Sequence, residues 1–218
     1  MADTSAPLSE VSVANMAATV LADASLNSLD DPSPLGRFMA REFGYTRDEV
    51  LQLFPWDFAK ARAAIPKTAD APAFGWKYKF VKPADCIKLL PVTADGSLNG
   101  PPIDYTVEGD EILTDYSVGG STLYVRYVRR QTNMAKWSPL AARLLGARLA
   151  VMASLRITGK QGYYDRAKAG YDVALFDAQR VHSLDGGTPE SIDNERFLEN
   201  TRGVYTPVPQ FAWNLFNN

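Results

Sequence analysis

Two Ser-Pro pairs, Ser33-Pro34 and Ser138-Pro139, constrain this chain more than any other feature. At each, the serine hydroxyl can cap the free amides of a helix. The proline then takes the first helical position, where its missing N–H costs nothing. Between the pairs the apolar period changes. From about residue 74, runs such as WKYKF, CIKLL, DYTV, EILTD and LYVRYV alternate with period two and are bounded by Pro, Gly, Asn and Asp, which is the signature of short strands. Glu108-Gly109-Asp110-Glu111 places Gly-Asp between two such runs, a good two-residue hairpin loop. Gly119-Gly120 reads as a further turn. In LYVRYV, Leu123, Val125 and Tyr127 fall on one face and Tyr124, Arg126 and Val128 on the other.

Helical period flanks this stretch on both sides. Residues 9–28 are rich in Ala, Leu and Val, with Ser9 as N-cap. A second helix starts at Ser33 and runs to Phe54, with Phe43, Val50, Leu51 and Phe54 at helical spacing, a break allowed at Gly44, and Pro55 as its stop. After Ser138-Pro139, Leu140, Leu144, Leu145, Val151, Met152 and Leu155 form an apolar stripe, and Gly159 closes the helix. A last helix over 161–182 carries Tyr164, Ala167, Tyr171, Leu175 and Ala178 on one face. The expected fold is α+β: an antiparallel helical bundle (residues 1–73 and 132–183), a small antiparallel β domain inserted at 74–131, and an extended C-terminal arm at 184–218.

Composition narrows the function. The 218 residues include 46% hydrophobic and 11% aromatic side chains, enough for a globular core. A net charge of −2 gives no global pull towards nucleic acid or an acidic membrane. The single cysteine excludes an internal disulfide and fits a reducing compartment. MADTSAPLSE lacks the pattern of a signal peptide, and LLGARLAVMASL is broken by Arg148, so neither export nor a membrane span is expected.

Catalytic readings find little support. The chain has one cysteine, Cys86, and one histidine, His182. Cys86 lies within an apolar strand run, away from any turn or helix N-terminus that would lower its pKa, and His182 lies at a helix end. One His and one Cys do not make a zinc site unaided, DGSLNG lacks calcium-loop spacing, and neither a P-loop nor GxGxxG occurs. No catalytic residue, metal or cofactor is expected, and the protein reads as a non-enzyme.

Charge is unevenly placed. Residues 1–36 hold five acids and no Lys or Arg, whereas residues 116–170 hold ten Lys or Arg and one acid, Asp165. Three readings stay open. The two regions lie side by side within the bundle; or the acidic face of one subunit meets the basic face of the next, head to tail; or the basic residues face DNA phosphate. Arg143, Arg148 and Arg156 spread around their helix rather than lining one side. The tail VYTPVPQFAWNLFNN poses a related choice, because its aromatic surface must be buried by its own domain or by another chain. Its two prolines favour an arm that leaves the body.

Six segments taken in order, LNSLDD, LFPWDFAKARA, FGWKYKFVKPADCIKLLPV, YTVEGDEILTD, LYVRYVRR and LAARLLGARLAVMASLRITG, resemble the tail tubular protein A family. These are the head-to-tail adaptors (connectors) of short-tailed bacteriophages, with related adaptors in long-tailed phages and gene transfer agents. Pro55-Trp56-Asp57-Phe58-Ala59, Pro83-Ala84-Asp85-Cys86 and Tyr105-Thr106-Val107-Glu108-Gly109 are the most specific marks, although the family more often has Asn where this chain has Asp57. The resemblance covers roughly 10–182 and does not extend beyond about 183. It implies a structural virion protein in the neck or tail, assembled in the host cytoplasm. Such proteins form a homo-oligomeric ring, twelvefold, beneath the portal protein, with genomic DNA passing through the lumen and no membrane. The far side of the ring holds the next tail or nozzle protein. Under that reading Tyr205, Pro207, Pro209, Phe211, Trp213, Leu215 and Phe216 dock on the portal or a neighbouring subunit. Arg126, Arg129, Arg130, Arg143 and Arg148 then lie at the channel or a subunit interface. The alternative is a DNA-binding accessory protein using the basic region 126–168.

Overall fold

The computed structural model describes residues 7–185, of which 182–185 by their backbone alone. It is an α+β structure of four helices and two antiparallel three-stranded sheets. Helices α1 (Glu10–Leu21) and α2 (Pro34–Leu53) precede the strands, and α3 (Pro139–Thr158) and α4 (Gln161–Asp185) follow them.

The caps act as the sequence requires. Ser9 and Ser12 form a reciprocal capping box at α1, and the Ser33 and Ser138 hydroxyls accept from the N–H groups of Gly36 and Ala141. Gly159 closes α3 in the left-handed conformation. Helix α1 ends at Leu21 rather than continuing to residue 28, because Ala22 turns left-handed at φ 51°. The Asn15 side chain then clamps the returning chain: its Oδ1 accepts from Leu26 N–H at 2.7 Å and its Nδ2 donates to Leu26 O at 3.0 Å. Helix α2 runs through Gly44 without a break.

Helix α3 is the centre of the helical core and packs against both α1 and α2. Its buried face differs from the stripe of large residues expected. Ala141, Ala142, Gly146, Ala150 and Ala153 are buried beside Leu144, Leu145 and Leu149, while Met152 and Leu155 are exposed. The reason is proximity: α1 offers Val13, Ala14, Ala17 and Ala18, and a Cβ added at Gly146 would lie 3.0 Å from Met16 Cβ. Small side chains let the two backbones approach. Helix α4 adds Ala167, Ala174 and Ala178 to the same core.

The strands are β1 (Lys60–Pro66), β2 (Tyr78–Val81), β3 (Cys86–Leu89), β4 (Tyr105–Glu108), β5 (Glu111–Thr114) and β6 (Thr122–Arg129). One sheet has the order β1-β6-β3 and the other β2-β5-β4. Strand β1 falls inside residues 1–73, so the β part begins at Lys60 and not at 74. Its sequence, KARAAIP, is Ala- and Lys/Arg-rich and carries no intrinsic strand preference; pairing along all seven residues with β6 is what makes it a strand. Gly109, at φ 60°, turns the β4–β5 hairpin, with Glu108 opposite Glu111.

The β1-β6-β3 sheet has two different faces. Ile65, Leu123, Val125 and Tyr127 pack with Phe80 and Ile112 of the second sheet, whereas Val128 belongs to the helical core. The crossings between helices and strands are held by aromatic rings. Trp56 and Trp137 each donate an indole N–H to a backbone carbonyl, Val50 O at 2.9 Å and Gln131 O at 3.1 Å. Phe58 lies between them, with centroids 5.9 Å from Trp56 and 5.1 Å from Trp137.

Candidate functional site

The basic residues singled out in the sequence fall into two groups. Three have acidic partners within the chain. Arg130 Nε lies 2.7 Å from Asp48 Oδ2, and the other oxygen of Asp48 is 2.8 Å from Arg47. Arg148 forms a two-point contact with Glu49, at 2.7 and 3.3 Å, and its guanidinium sits 5.6 Å from the Tyr171 ring centroid. Arg143 approaches Asp177 at 3.7 Å. The acids that meet these arginines come from α2 and α4, not from residues 1–36. Among the described residues, Glu10, Asp23, Asp30 and Asp31 make no ion pair. Among the described residues, then, no ion pair joins the 1–36 acids to the central basic stretch, although α1 and α3 pack side by side.

Arg126 and Arg129 form the second group. Each has a buried Nε with no hydrogen-bond partner. Arg126 is only 9% exposed, and among the described residues its side chain has neither an ion pair nor a hydrogen bond. The register places it directly opposite Arg62 of β1, with Tyr124 opposite Ala64 one step along the same face. No helix contributes a residue to the lining of this end of the sheet face. This end forms a shallow groove of about 280 Å³ lined by Arg62, Ala64, Asp95, Gly96, Tyr124 and Arg126. Gly96, at φ 72°, lets its loop lie on Tyr124, since a Cβ there would come within 2.6 Å of Tyr124 Cβ. Asp95 sits on the rim, but its carboxylate is occupied by the Ser97 N–H and hydroxyl, both at 2.9 Å, which lower its pKa. Arg62 also makes no ion pair among the described residues. Sequence reasoning missed Arg62, because its position opposite Arg126 exists only once β1 is recognised as a strand.

Cys86 enters β3 half-buried against the second core. Burial pushes its thiol up to about 11, with Lys82 acting in the opposite direction and Asp85 reinforcing the rise. At neutral pH it is a protonated thiol, the unreactive form. Asp85 has a structural partner: its Oδ1 accepts from the Tyr127 hydroxyl at 3.0 Å. The His182 side chain and the arm residues Tyr205, Pro207, Pro209, Phe211, Trp213, Leu215 and Phe216 lie outside the described residues. Among the described residues no group of three or more His, Cys, Asp or Glu is placed to hold a metal ion, and no helix is long and apolar enough to cross a membrane.

No protein-family model matches the chain, and no curated protein sequence matches it.

Proposed function

We propose that the protein is a structural virion component, a head-to-tail adaptor. In this reading its copies form a twelvefold ring under the portal protein, continue the DNA channel, and present a platform to the next tail or nozzle protein. The observation that carries the reading is the ordered resemblance of six segments between about residue 10 and residue 182 to tail tubular protein A adaptors. An α+β chain with its strands between two helical pairs is compatible with that reading. In it, the helices are an antiparallel bundle that meets the portal, the strands are an insertion reaching outward or down the tail, and residues 184–218 are an extended arm. The protein is no enzyme; the protonated Cys86 thiol supports that part. The DNA-binding alternative is disfavoured by the acidic partners of Arg130, Arg143 and Arg148.

The test is attachment to portal-bearing particles. The full chain should add a ring of density beneath the portal in a cryo-EM view of the vertex. A chain lacking residues 204–218 should fold and fail to attach stably. A vertex without density for the chain overturns the adaptor reading, and normal attachment by the truncated chain removes the arm's role.

A further inference from the structure

We propose that the groove between Arg62 and Arg126 is a joint between copies of this chain, receiving a carboxylate from the acidic 1–36 region of a second copy. The inference deepens the ring reading above and rests on it for the setting in which copies meet. Its grounds are local. Two arginines stand directly opposite each other across β1 and β6, an arrangement of like charges that destabilises a sheet unless an anion lies between them. Arg126 lies nine-tenths buried with an unpartnered Nε, and its side chain lines the groove. A buried guanidinium N–H without an acceptor is costly, and a planar carboxylate satisfies guanidinium N–H donors in pairs. Tyr124, 39% exposed beside it, supplies aromatic surface of the kind that concentrates binding energy at protein interfaces.

The occupant follows from size and charge. The groove holds about 280 Å³, and Asp95 on its rim leaves one net positive charge beyond what the rim cancels. Such a site suits one carboxylate; the continuous phosphates of duplex DNA would meet the Asp95 charge and find no row of further cations in the lining. The chain supplies its own match. Asp23 and Asp30 are exposed, make no ion pair among the described residues, and belong to a region without Lys or Arg. They lie at the α1–α2 connection while the groove lies on β1 and β6, so donor and acceptor surfaces are distinct. Distinct donor and acceptor surfaces allow a heterologous, head-to-tail contact, the type from which a ring closes.

Charge reversal with rescue tests this joint. Association of the purified full chain is measured by sedimentation across protein and salt concentrations. Wild type should associate, less so as salt rises. Arg62→Glu, on an exposed strand position, should weaken association by about tenfold or more, as should the double variant Asp23→Lys/Asp30→Lys. Mixing the two variants should restore association. Arg126→Met, which removes the buried charge but keeps most of the volume, should weaken association while leaving the thermal midpoint of the isolated chain equal or higher. Full association in both reversed variants, or a mixture that fails to recover, overturns the joint. So does a wild-type chain that stays monomeric up to roughly 1 mM, the weak-binding limit. Duplex DNA binding that Arg62→Glu abolishes would assign the groove to phosphate instead. Ring density at the vertex in particles assembled with the reversed variants would remove the groove and keep the ring, whereas no density with wild type would remove the ring itself.

Discussion

At the scale of single residues, the chemistry of this chain is set by burial more than by spacing. Cys86 shows it: a thiol raised to about 11 by desolvation is roughly a hundredfold poorer in thiolate at neutral pH than one at 9. Alkylation by iodoacetamide at pH 8 should therefore run about a hundred times more slowly in the folded chain than after denaturation. A matching rate in both states would sink the assignment. The same shift fixes a pH dependence. The folded pKa is raised, so the folded state retains its proton where the unfolded state has lost it. The stabilising contribution is complete below about pH 9 and is lost as pH rises through about 11. Cys86→Ala should flatten that part of a stability-against-pH curve relative to wild type. Ala22 gives a second test, because a non-glycine residue at φ 51° pays for its Cβ. Ala22→Gly should stabilise the chain by about 0.5–1 kcal/mol, measured by urea denaturation.

At the scale of elements, two helical glycines have opposite roles. Gly146 sits where α3 meets α1, with Val13 O 3.2 Å and Met16 Cβ 3.0 Å from where a Cβ would be. Gly146→Leu should cost about 1–3 kcal/mol by forcing the helices apart. At Gly44 of α2 nothing lies within 4 Å of an added Cβ, so Gly44→Ala should stabilise by about 0.5–1 kcal/mol. Thermal melts of both variants check the contrast, and a destabilised Gly44→Ala would count against this account of α2. The contrast also marks what could be read from sequence. Helix starts were legible because Ser9, Ser33 and Ser138 cap through local hydrogen bonds. The Gly109 hairpin and the alternation in LYVRYV were legible for the same reason, as local geometry. The α1–α3 seam was not, because alanines at a close crossing look like generic helix formers. Strand β1 was not either, since KARAAIP becomes a strand through β6, a partner far along the chain. Arg62 of the candidate groove was lost with it.

At the scale of the molecule, aromatic rings link helices and sheets at the two crossings of the chain, and this link should make them one cooperative unit. The chain enters the strands through Phe54, Trp56 and Phe58 and leaves through Gln131 and Trp137. These aromatic rings are stacked, tilted or edge-on, with centroids 5.1–5.9 Å apart. Trp137 is 4% exposed, contacts Phe58, and ties its indole to the Gln131 carbonyl. On one side it belongs to the core built by α1, α2 and α3, and on the other it fixes the exit of β6. Removing it acts on both. Trp137→Ala should cost about 3–5 kcal/mol, and the loss should fall on the coupling as well as on the total. With the clasp open, the second core of Phe80, Ile112, Leu123 and Val125 loses its anchorage to the helices and should melt before them. Wild type should unfold in one transition, with far-UV and near-UV circular dichroism coincident. In Trp137→Ala the two signals should separate. Trp137→Phe keeps a ring against Phe58 and leaves only the Gln131 carbonyl unpaired, so it should lower stability by about 1 kcal/mol and keep a single transition. If Trp137→Ala still unfolds in one coincident step, the coupling runs through the Val128 and Leu90 contacts with the helical core instead of through the aromatic clasp.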